Sequence, residues 1–145
     1  MSWRSYGYCL GVVCIATVLS GCRDQGPERV QVSGTVTYNG KPLSSGMIRF
    51  MPTASTNAPM AGAKIKDGQY TLDQHGAVPV GTFRVEIEAL RTVAAPPGMV
   101  LPLDLQGKEG LDQQYIPAKY NAASQLSITI EPGSRPITQD YDLTD

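Results

Sequence analysis

Residues 83–89 read Phe-Arg-Val-Glu-Ile-Glu-Ala, and this stretch decides the fold. Its apolar residues alternate with charged ones, which is the period of a β-strand with one buried face and one solvated face. We expect Phe83 and Val85 to face a core, and Glu86 and Glu88 to lie in water. The strand therefore belongs to a sheet that covers an apolar core on one side.

Six other segments have a strand pattern, and turn residues separate them. The pair Asn39-Gly40 suits a tight hairpin turn because both residue types tolerate positive φ. No stretch of about ten residues has the spacing of an amphipathic helix. These features predict an all-β fold of the sandwich type. The seven predicted strands cover residues 30–38, 47–51, 61–65, 70–72, 83–89, 126–130 and 137–143.

Residues 91–114 are predicted to form a long loop, because Pro and Gly interrupt them and no period persists. Loops of this length are uncommon in compact domains and are either functional or mobile. The loop contains one apolar patch, formed by Met99, Val100, Leu101 and Leu103. Two interpretations remain open, a contact site for a protein partner and a loop that folds back over the open end of the sandwich.

The N-terminal segment has the layout of an export signal, with Arg4 before an uncharged apolar run at residues 9–19. The run is shorter than the roughly 20 residues that a membrane-spanning helix needs. It closes on Leu-Ser-Gly-Cys at residues 19–22, which resembles the lipobox of bacterial lipoproteins. The resemblance implies cleavage between Gly21 and Cys22, and a diacylglyceryl group on the Cys22 sulfur.

This resemblance divides the chain into a signal peptide (residues 1–21), a lipidated cysteine with a tether (22–28) and a β-sandwich domain (29–145). It implies a protein of the cell envelope, held on a membrane by its lipid and facing the periplasm or the outside. All three cysteines lie at or before the cut, so a disulfide framework is excluded. With His75 as the one histidine, a metal centre of clustered Cys and His is not expected, and neither is a cofactor.

A second resemblance rests on motifs in the body of the chain. Residues 32–36 (VSGTV), 39–43 (NGKPL), 67–72 (DGQYTL) and 80–85 (VGTFRV) resemble, in order, the signatures of carboxypeptidase regulatory-like (transthyretin-like) domains. Residues 116–121 (IPAKYN) are similar to a segment of planctomycete lipoproteins that carry this domain. The resemblance implies a seven-stranded Greek-key β-sandwich that has no catalytic site and acts as a folding or contact module.

Charge argues against a nucleic-acid partner. The chain has 12 basic and 13 acidic side chains, and residues 1–21 remove one base, Arg4, and no acid. The remainder has a formal net charge of −2 with His75 neutral. The charges are scattered singly, without the basic stripe that attracts phosphate backbones.

Three sets of side chains have the composition of a catalytic or metal-binding site. His75 beside Asp73 has the composition of a general base, but an exposed histidine next to a carboxylate is common, and we favour that interpretation. Glu86 and Glu88 share one strand face, as carboxylates on a solvated face often do. A third set of acids offers oxygen ligands for Ca²⁺, or deters pairing at a sheet edge. They are Asp67, Asp140, Asp142 and Asp145.

The sequence therefore predicts a lipid-anchored binding or structural module without catalysis. One alternative is a carrier of a small apolar or carbohydrate ligand that uses the 91–114 loop as a lid. A further alternative, from another class, is a hydrolase that uses His75 with Asp73.

Overall fold

The computed structural model describes residues 26–73, 75–94, 96, 98 and 110–145. Within them the prediction of an all-β chain is confirmed, since the regular elements are strands and one 3-10 turn at Ala118–Tyr120. The predicted cleavage and lipidation site at Gly21 and Cys22 lies outside the described residues. So does the apolar patch at residues 99–103.

Thirteen strands form within the described residues. They are β1 (Arg29–Val30), β2 (Val32–Tyr38), β3 (Lys41–Pro42), β4 (Ser45–Pro52), β5 (Ala61–Lys66), β6 (Gln69–Leu72), β7 (Val78–Pro79), β8 (Gly81–Glu88), β9 (Leu90–Val93), β10 (Leu111–Gln114), β11 (Ser127–Ile130), β12 (Ile137–Thr138) and β13 (Tyr141–Leu143).

The large sheet has the strand order β11-β8-β4-β5-β6-β2-β12, and β3 and β13 also pair with β2. Two small sheets, β1-β7 and β9-β10, complete the fold. Neighbouring strands are antiparallel except β12 and β13, which run parallel to β2. Because β2 pairs with four strands along its length, it joins the two sides of the curled sheet.

Each of the seven predicted segments contains strand, and the structure adds β3, β7, β9 and β10. The first predicted strand, 30–38, is interrupted at Gln31, because β1 pairs with β7 in a separate small sheet while β2 belongs to the large one. The alternation in β8 is confirmed, because Phe83, Val85 and Ile87 are fully buried while Arg84 is exposed. The turn at Asn39-Gly40 also has the predicted backbone, with φ of 50° and 74°. Local pattern was sufficient for these elements because each has one face in the core.

The last predicted strand, 137–143, is interrupted at residues 139–140, although β12 and β13 keep one register on β2. Gly34 lies opposite the break, where an added Cβ would lie 1.9 Å from the Gln139 carbonyl oxygen. The Thr35 N–H donates to Asp140 Oδ1 at 2.7 Å. A side-chain carboxylate thus replaces a main-chain acceptor at the break.

The core lies on the inner side of the curled sheet. Its largest fully buried side chains include Phe50, Phe83 and Leu43. Burying an aliphatic or aromatic side chain of this size contributes about 1.5–3 kcal/mol each. Tyr70 packs between Phe50 and Tyr141, with ring centroids 6.4 and 6.3 Å away. Strands that are far apart in the sheet therefore contribute side chains to the same core.

The segment after β10 is held by a buried amide. Asn121 donates through Nδ2 to the carbonyl oxygens of Ile116 (3.0 Å) and Pro117 (3.2 Å). Its Oδ1 accepts the Ala122 N–H at 2.7 Å. The 116–121 motif thus has a structural explanation, because one side chain satisfies three main-chain groups of a tight turn.

The prediction of a continuous loop over residues 91–114 is wrong at both ends. β9 and β10 pair there as an antiparallel ribbon, from Leu90 opposite Gln114 to Val93 opposite Leu111. At the base of the ribbon, Gln114 Oε1 accepts the N–H groups of Ala89 (3.1 Å) and Ile116 (3.2 Å). The ribbon has no alternating apolar pattern because both of its faces are largely exposed.

The ribbon and the first described residues lie at opposite ends of the domain. At the first end, the Glu28 carbonyl oxygen accepts the Val80 N–H, and β1 pairs with β7. At the far end, β2 finishes at Tyr38, whose ring packs edge-on against Tyr115 at 5.7 Å. Tyr115 directly follows β10. The chain therefore enters at one end and presents the ribbon at the other.

Candidate functional site

The structure places His75 and Asp73 in an exposed turn. Their side chains are 98% and 70% exposed, and Nδ1 of His75 lies 3.9 Å from Asp73 Oδ1. The same Asp73 oxygen accepts the His75 N–H at 3.0 Å, which is a common turn-stabilising contact. No wall of protein surrounds the pair to exclude water from a reacting group. The arrangement therefore favours the turn interpretation.

Glu86 and Glu88 lie on the face of β8 opposite the core, and each pairs with an arginine. The Glu86 side chain is only 13% exposed, so the prediction that it lies in water is wrong, because Arg84 and the neighbouring strands cover it. Glu88 Oε1 is 2.9 Å from Arg49 Nη1, and the two side chains are 36% and 35% exposed. Glu86 pairs with Arg84 two residues away on its own strand. Because both carboxylates are neutralised by separate cations, they do not form a shared acid-base pair.

The C-terminal carboxylates bind strands and turns. Asp142 accepts a hydrogen bond from the Thr37 hydroxyl at 2.6 Å. Asp145 accepts from the Tyr38 hydroxyl and from Asn39 Nδ2, the latter at 2.9 Å. These bonds lower the pKa of Asp145, and the bond to Asp145 raises the pKa of Tyr38. The carboxylates therefore fasten the chain end to β2 and its hairpin.

Asp140 and Asp67 have different surroundings. The hydrogen bond from the Thr35 N–H lowers the pKa of Asp140. Asp67 occupies a turn with φ of 50°. Among the described residues, no three His, Cys, Asp or Glu side chains lie close enough to hold a metal ion. The acids singled out for Ca²⁺ are thus distributed among separate structural contacts.

Two buried tyrosines differ in how their hydroxyls are satisfied. Tyr70 donates to the Gln139 carbonyl oxygen at 2.7 Å, and burial raises the pKa of Tyr70. Burial also raises the pKa of Tyr141 to about 12. The Tyr141 hydroxyl makes no hydrogen bond with any described residue. Both groups are neutral near pH 7, so neither supplies a charge to the core.

The surface of the large sheet has a polar cleft, which we name the hydroxyl groove. It has a volume of about 330 Å³ and lies over β2, β6 and the break between β12 and β13. In the register of the sheet, Ser33 is opposite both Thr71 and Thr138. Hydrogen-bonding side chains dominate its walls. They belong to Ser33, Thr35, Gln69, Thr71, Thr138 and Asp140.

The other cleft, which we name the edge cleft, lies between the first residues of β4 and the β8–β9 junction. It has a volume of about 310 Å³ and is bounded by residues 45–49 of β4 and 88–90 at the β8–β9 junction. Met47 and Leu90 give it apolar walls, and the Arg49–Glu88 ion pair closes one side. The Leu90 side chain is 56% exposed. A single exposed leucine is ordinary on a protein surface, so this exposure does not by itself assign a role to the cleft.

Sequence reasoning missed the edge cleft and the β9–β10 ribbon. Leu90 directly follows the alternating stretch, and its position beside the start of β4 depends on the tertiary structure. Asn121 and Ser124 were also missed as buried residues. The motif at 116–121 was a signal for Asn121, but its pattern did not show that the amide is enclosed.

No helix among the residues that the structure describes has the length and apolar character needed to cross a membrane.

No family model matches the chain, and no curated protein matches it. Among solved structures, the chain is similar to a 9R-lipoxygenase from Cyanothece PCC8801, with 12% sequence identity and a TM-score of 0.35. That similarity covers 81% of this chain and 16% of the lipoxygenase. A likeness of this size carries no conclusion about the activity of this chain.

Proposed function

We propose that this chain is a lipid-anchored extracytoplasmic module, a seven-stranded Greek-key β-sandwich of the carboxypeptidase regulatory-like kind, with a binding or structural role at the cell envelope. The observation that carries the proposal is the Leu-Ser-Gly-Cys stretch at residues 19–22, which follows an uncharged apolar run. Two acyl chains of about 14 carbons each would contribute on the order of 20 kcal/mol of membrane anchoring. Such a protein stays on its membrane.

The direction of the chain supports an anchored module. The first described strand, β1, begins at Arg29, close behind the proposed lipidated Cys22. The β9–β10 ribbon lies at the opposite end of the domain from β1, and β1 is the strand nearest in sequence to the proposed anchor. Residues 94–110 join the two strands of the ribbon in sequence and include the apolar patch. We propose Met99, Val100, Leu101 and Leu103 as contacts for an envelope protein.

The surroundings of the titratable groups support a role without catalysis. A general base needs a position within hydrogen-bond reach of a bound substrate. His75 lies in open solvent, and the two strand glutamates are each paired with an arginine. We therefore place the function of the domain in its surfaces.

Intact mass spectrometry of protein purified from membranes tests the anchor. The proposal expects a mass that lacks residues 1–21 and carries a diacylglyceryl group, with or without further acylation. Cys22→Ser should abolish that addition and release the domain from the membrane fraction. Cys14→Ser is the matched control, because it changes a cysteine within the proposed signal peptide. An unmodified chain that still begins at Met1 and remains soluble would contradict the proposal.

Partner binding is tested separately by pull-down from solubilised membranes. Replacing the four apolar side chains at residues 99–101 and 103 by serine should remove the recovered partner. The His75→Ala variant should recover it unchanged, because this histidine lies in an exposed turn at the opposite end of the domain from the β9–β10 ribbon. Recovery that is unaffected by the serine substitutions would contradict the contact at this patch.

Carbohydrate binding is a second candidate function, favoured by the hydroxyl groove. Its side chains match the alternating donors and acceptors of sugar hydroxyl groups. A thermal shift on addition of soluble peptidoglycan fragments should be lost in Thr35→Val and kept in the control Thr129→Val, which is on β11. An equal shift in both variants would remove the groove as the site.

A further inference from the structure

The tight turn between β2 and β3 contains a chemically labile pair. Asparagine occurs in the chain at positions 39, 57 and 121, and of these only Asn39 is followed by glycine. Asparagine before glycine is prone to deamidation, because glycine has no Cβ to hinder the approach of its main-chain nitrogen to the asparagine side chain. The same two residues supply the positive φ angles of the turn. A position open to spontaneous modification therefore lies in an element that the fold requires.

The Asn39 side chain is held by the other end of the chain. Its Nδ2 donates to Asp145 Oδ2 at 2.9 Å, and its Oδ1 accepts the Asp145 N–H at 3.3 Å. Asp145 also accepts the Tyr38 hydroxyl, and the main-chain N–H of Asn39 donates to the Leu143 carbonyl oxygen at 2.8 Å. We name these contacts between residues 38–39 and 143–145 the chain-end lock. Residue 145 thus engages both ends of the Asn39 amide.

Deamidation at this pair needs only water as a co-reactant. The main-chain nitrogen of Gly40 attacks Cγ of Asn39, the Cγ–Nδ2 bond breaks, and the leaving nitrogen takes a proton to depart as ammonia. Water then opens the five-membered succinimide and gives aspartate or isoaspartate at position 39. One water is consumed, one ammonia is released, and nothing is oxidised or reduced. Asn39 and Asp145 are both exposed, so water reaches the site.

The chain-end lock opposes the first step. Because both ends of the amide are bonded to Asp145, Cγ of Asn39 has to break those bonds before it turns toward the Gly40 nitrogen. A hydrogen bond to an ionised carboxylate is stronger than one between neutral groups, yet exposed contacts at a chain end open readily. The rate of deamidation should therefore follow the fraction of time for which the lock is open.

The product cannot form the same lock. Deamidation replaces the Nδ2 donor by a carboxylate oxygen, which would lie against the carboxylate of Asp145. The hydrogen bonds from Tyr38 and then from Asn39 lower the pKa of Asp145, so this group is ionised near pH 7. Two negative charges at such a distance repel each other. Lys119, whose Nζ donates to the main-chain oxygen of Asp145 at 2.7 Å, offsets part of that repulsion.

We propose that Asn39 is a deamidation site that Asp145 protects, and that deamidation after the chain end opens prevents β13 from docking fully on the end of β2 again. The change is one-way, since the amide nitrogen is lost as ammonia. It adds a negative charge beside Tyr38, at the end of the domain opposite β1. The proposal goes beyond the proposed function and does not rest on it.

The first test measures the rate in the full-length protein in detergent micelles, in mildly alkaline buffer. Peptide mapping by mass spectrometry gives the fraction of aspartate and isoaspartate at position 39 over time. Asp145→Ala should accelerate deamidation about tenfold, because it removes the carboxylate that holds the amide. Asp142→Ala is the matched control, since it removes the bond from Thr37 to β13 and leaves the partners of Asn39 in place. Deamidation at Asn57, an exposed residue followed by alanine, should be the same in all three proteins.

The second test measures the consequence of the product. Asn39→Asp supplies the extra carboxylate directly, and Asn39→Gly removes the amide without adding charge in a residue that accepts positive φ. Amide hydrogen exchange of β13, followed by NMR, should be about tenfold faster in Asn39→Asp than in the unmodified protein, with a smaller change in Asn39→Gly. Exchange in β8 should stay unchanged in both variants.

Each alternative has its own outcome. Equal deamidation rates in Asp145→Ala and the unmodified protein would mean that the lock does not protect the amide. Equal acceleration by Asp142→Ala would mean that docking of β13 as a whole, and not the Asp145 carboxylate, controls the reaction. Unchanged β13 exchange in Asn39→Asp would mean that the chain end tolerates the product. Any of these results overturns the proposal, and none depends on whether Cys22 is lipidated.

Discussion

β8 and β9 are consecutive parts of one extended segment, yet their surroundings differ. β8 is flanked by β4 and β11 and directs three fully buried side chains into the core. Among the strands that the structure describes, β9 pairs with β10 alone, and Leu90, Arg91 and Thr92 are all exposed. Elements with few buried contacts and open edges are those that open most easily and that partners engage. The comparison separates the part that fills the core from the part that contributes little to it.

The largest expected effect is loss of a core side chain from β8. Phe83→Ala should lower the free energy of unfolding by about 3–5 kcal/mol, because it leaves a cavity at a fully buried position. Leu90→Ala, on β9, should change it by less than about 0.5 kcal/mol. Urea unfolding followed by tyrosine fluorescence measures both. Equal losses of unfolding free energy in the two variants would show that β8 and β9 contribute equally to stability.

The next effect concerns a buried hydroxyl that holds β8 at its middle. Ser124 Oγ donates to the Val85 carbonyl oxygen and accepts the Leu126 N–H at 3.2 Å. Ser124→Ala should cost about 1–3 kcal/mol, because it leaves buried main-chain groups without partners. Ser134→Ala is the control, since Ser134 donates to the Glu131 carbonyl oxygen at an exposed turn. The same denaturation experiment should show a much smaller loss for the control.

A smaller effect on stability is expected at the junction between β8 and the β9–β10 ribbon. Gln114→Ala removes the acceptor of the Ala89 and Ile116 N–H groups and should cost about 0.5–1.5 kcal/mol. Amide exchange should then accelerate in β9 and β10 and stay unchanged in β8. Gln113→Ala, which removes only an exposed contact with Arg91, should leave the ribbon as it is. Faster exchange in β8 as well would show that the ribbon and the sheet open together.

The smallest effect is expected for the ion pair beside the edge cleft. Arg49→Met should change stability by less than about 1 kcal/mol, because exposed ion pairs gain little in water. A double-mutant cycle with Glu88→Gln at low and high salt measures the coupling, which should weaken as salt rises. A coupling above about 2 kcal/mol that is insensitive to salt would show that the pair is shielded from solvent.

Pattern in the sequence was enough for the strands that face the core. Phe83, Val85 and Ile87 alternate with charges, and all three are buried as predicted. The hairpin at Asn39-Gly40 followed from turn chemistry. These predictions succeed because burial on one face imposes a period of two on the residues themselves.

Pattern was not enough for the ribbon or for the polar contacts. β9 and β10 bury little, so no apolar period marks them, and pairing with each other is what makes them strands. Asn121 has a residue type common in loops, and its burial depends on the carbonyl groups that a turn gathers around it. The roles of Asp142 and Asp145 depend on β13 lying parallel to β2. Such contacts join residues far apart in the chain.

The order of residues along this chain was sufficient to specify an all-strand body, which face of each core strand is apolar and where the tight turns occur, because these depend on near neighbours. The pairing of β9 with β10, and the cleft between the start of β4 and Leu90, were decided by the tertiary structure. They could not be read locally, since each depends on segments that are far apart in the chain.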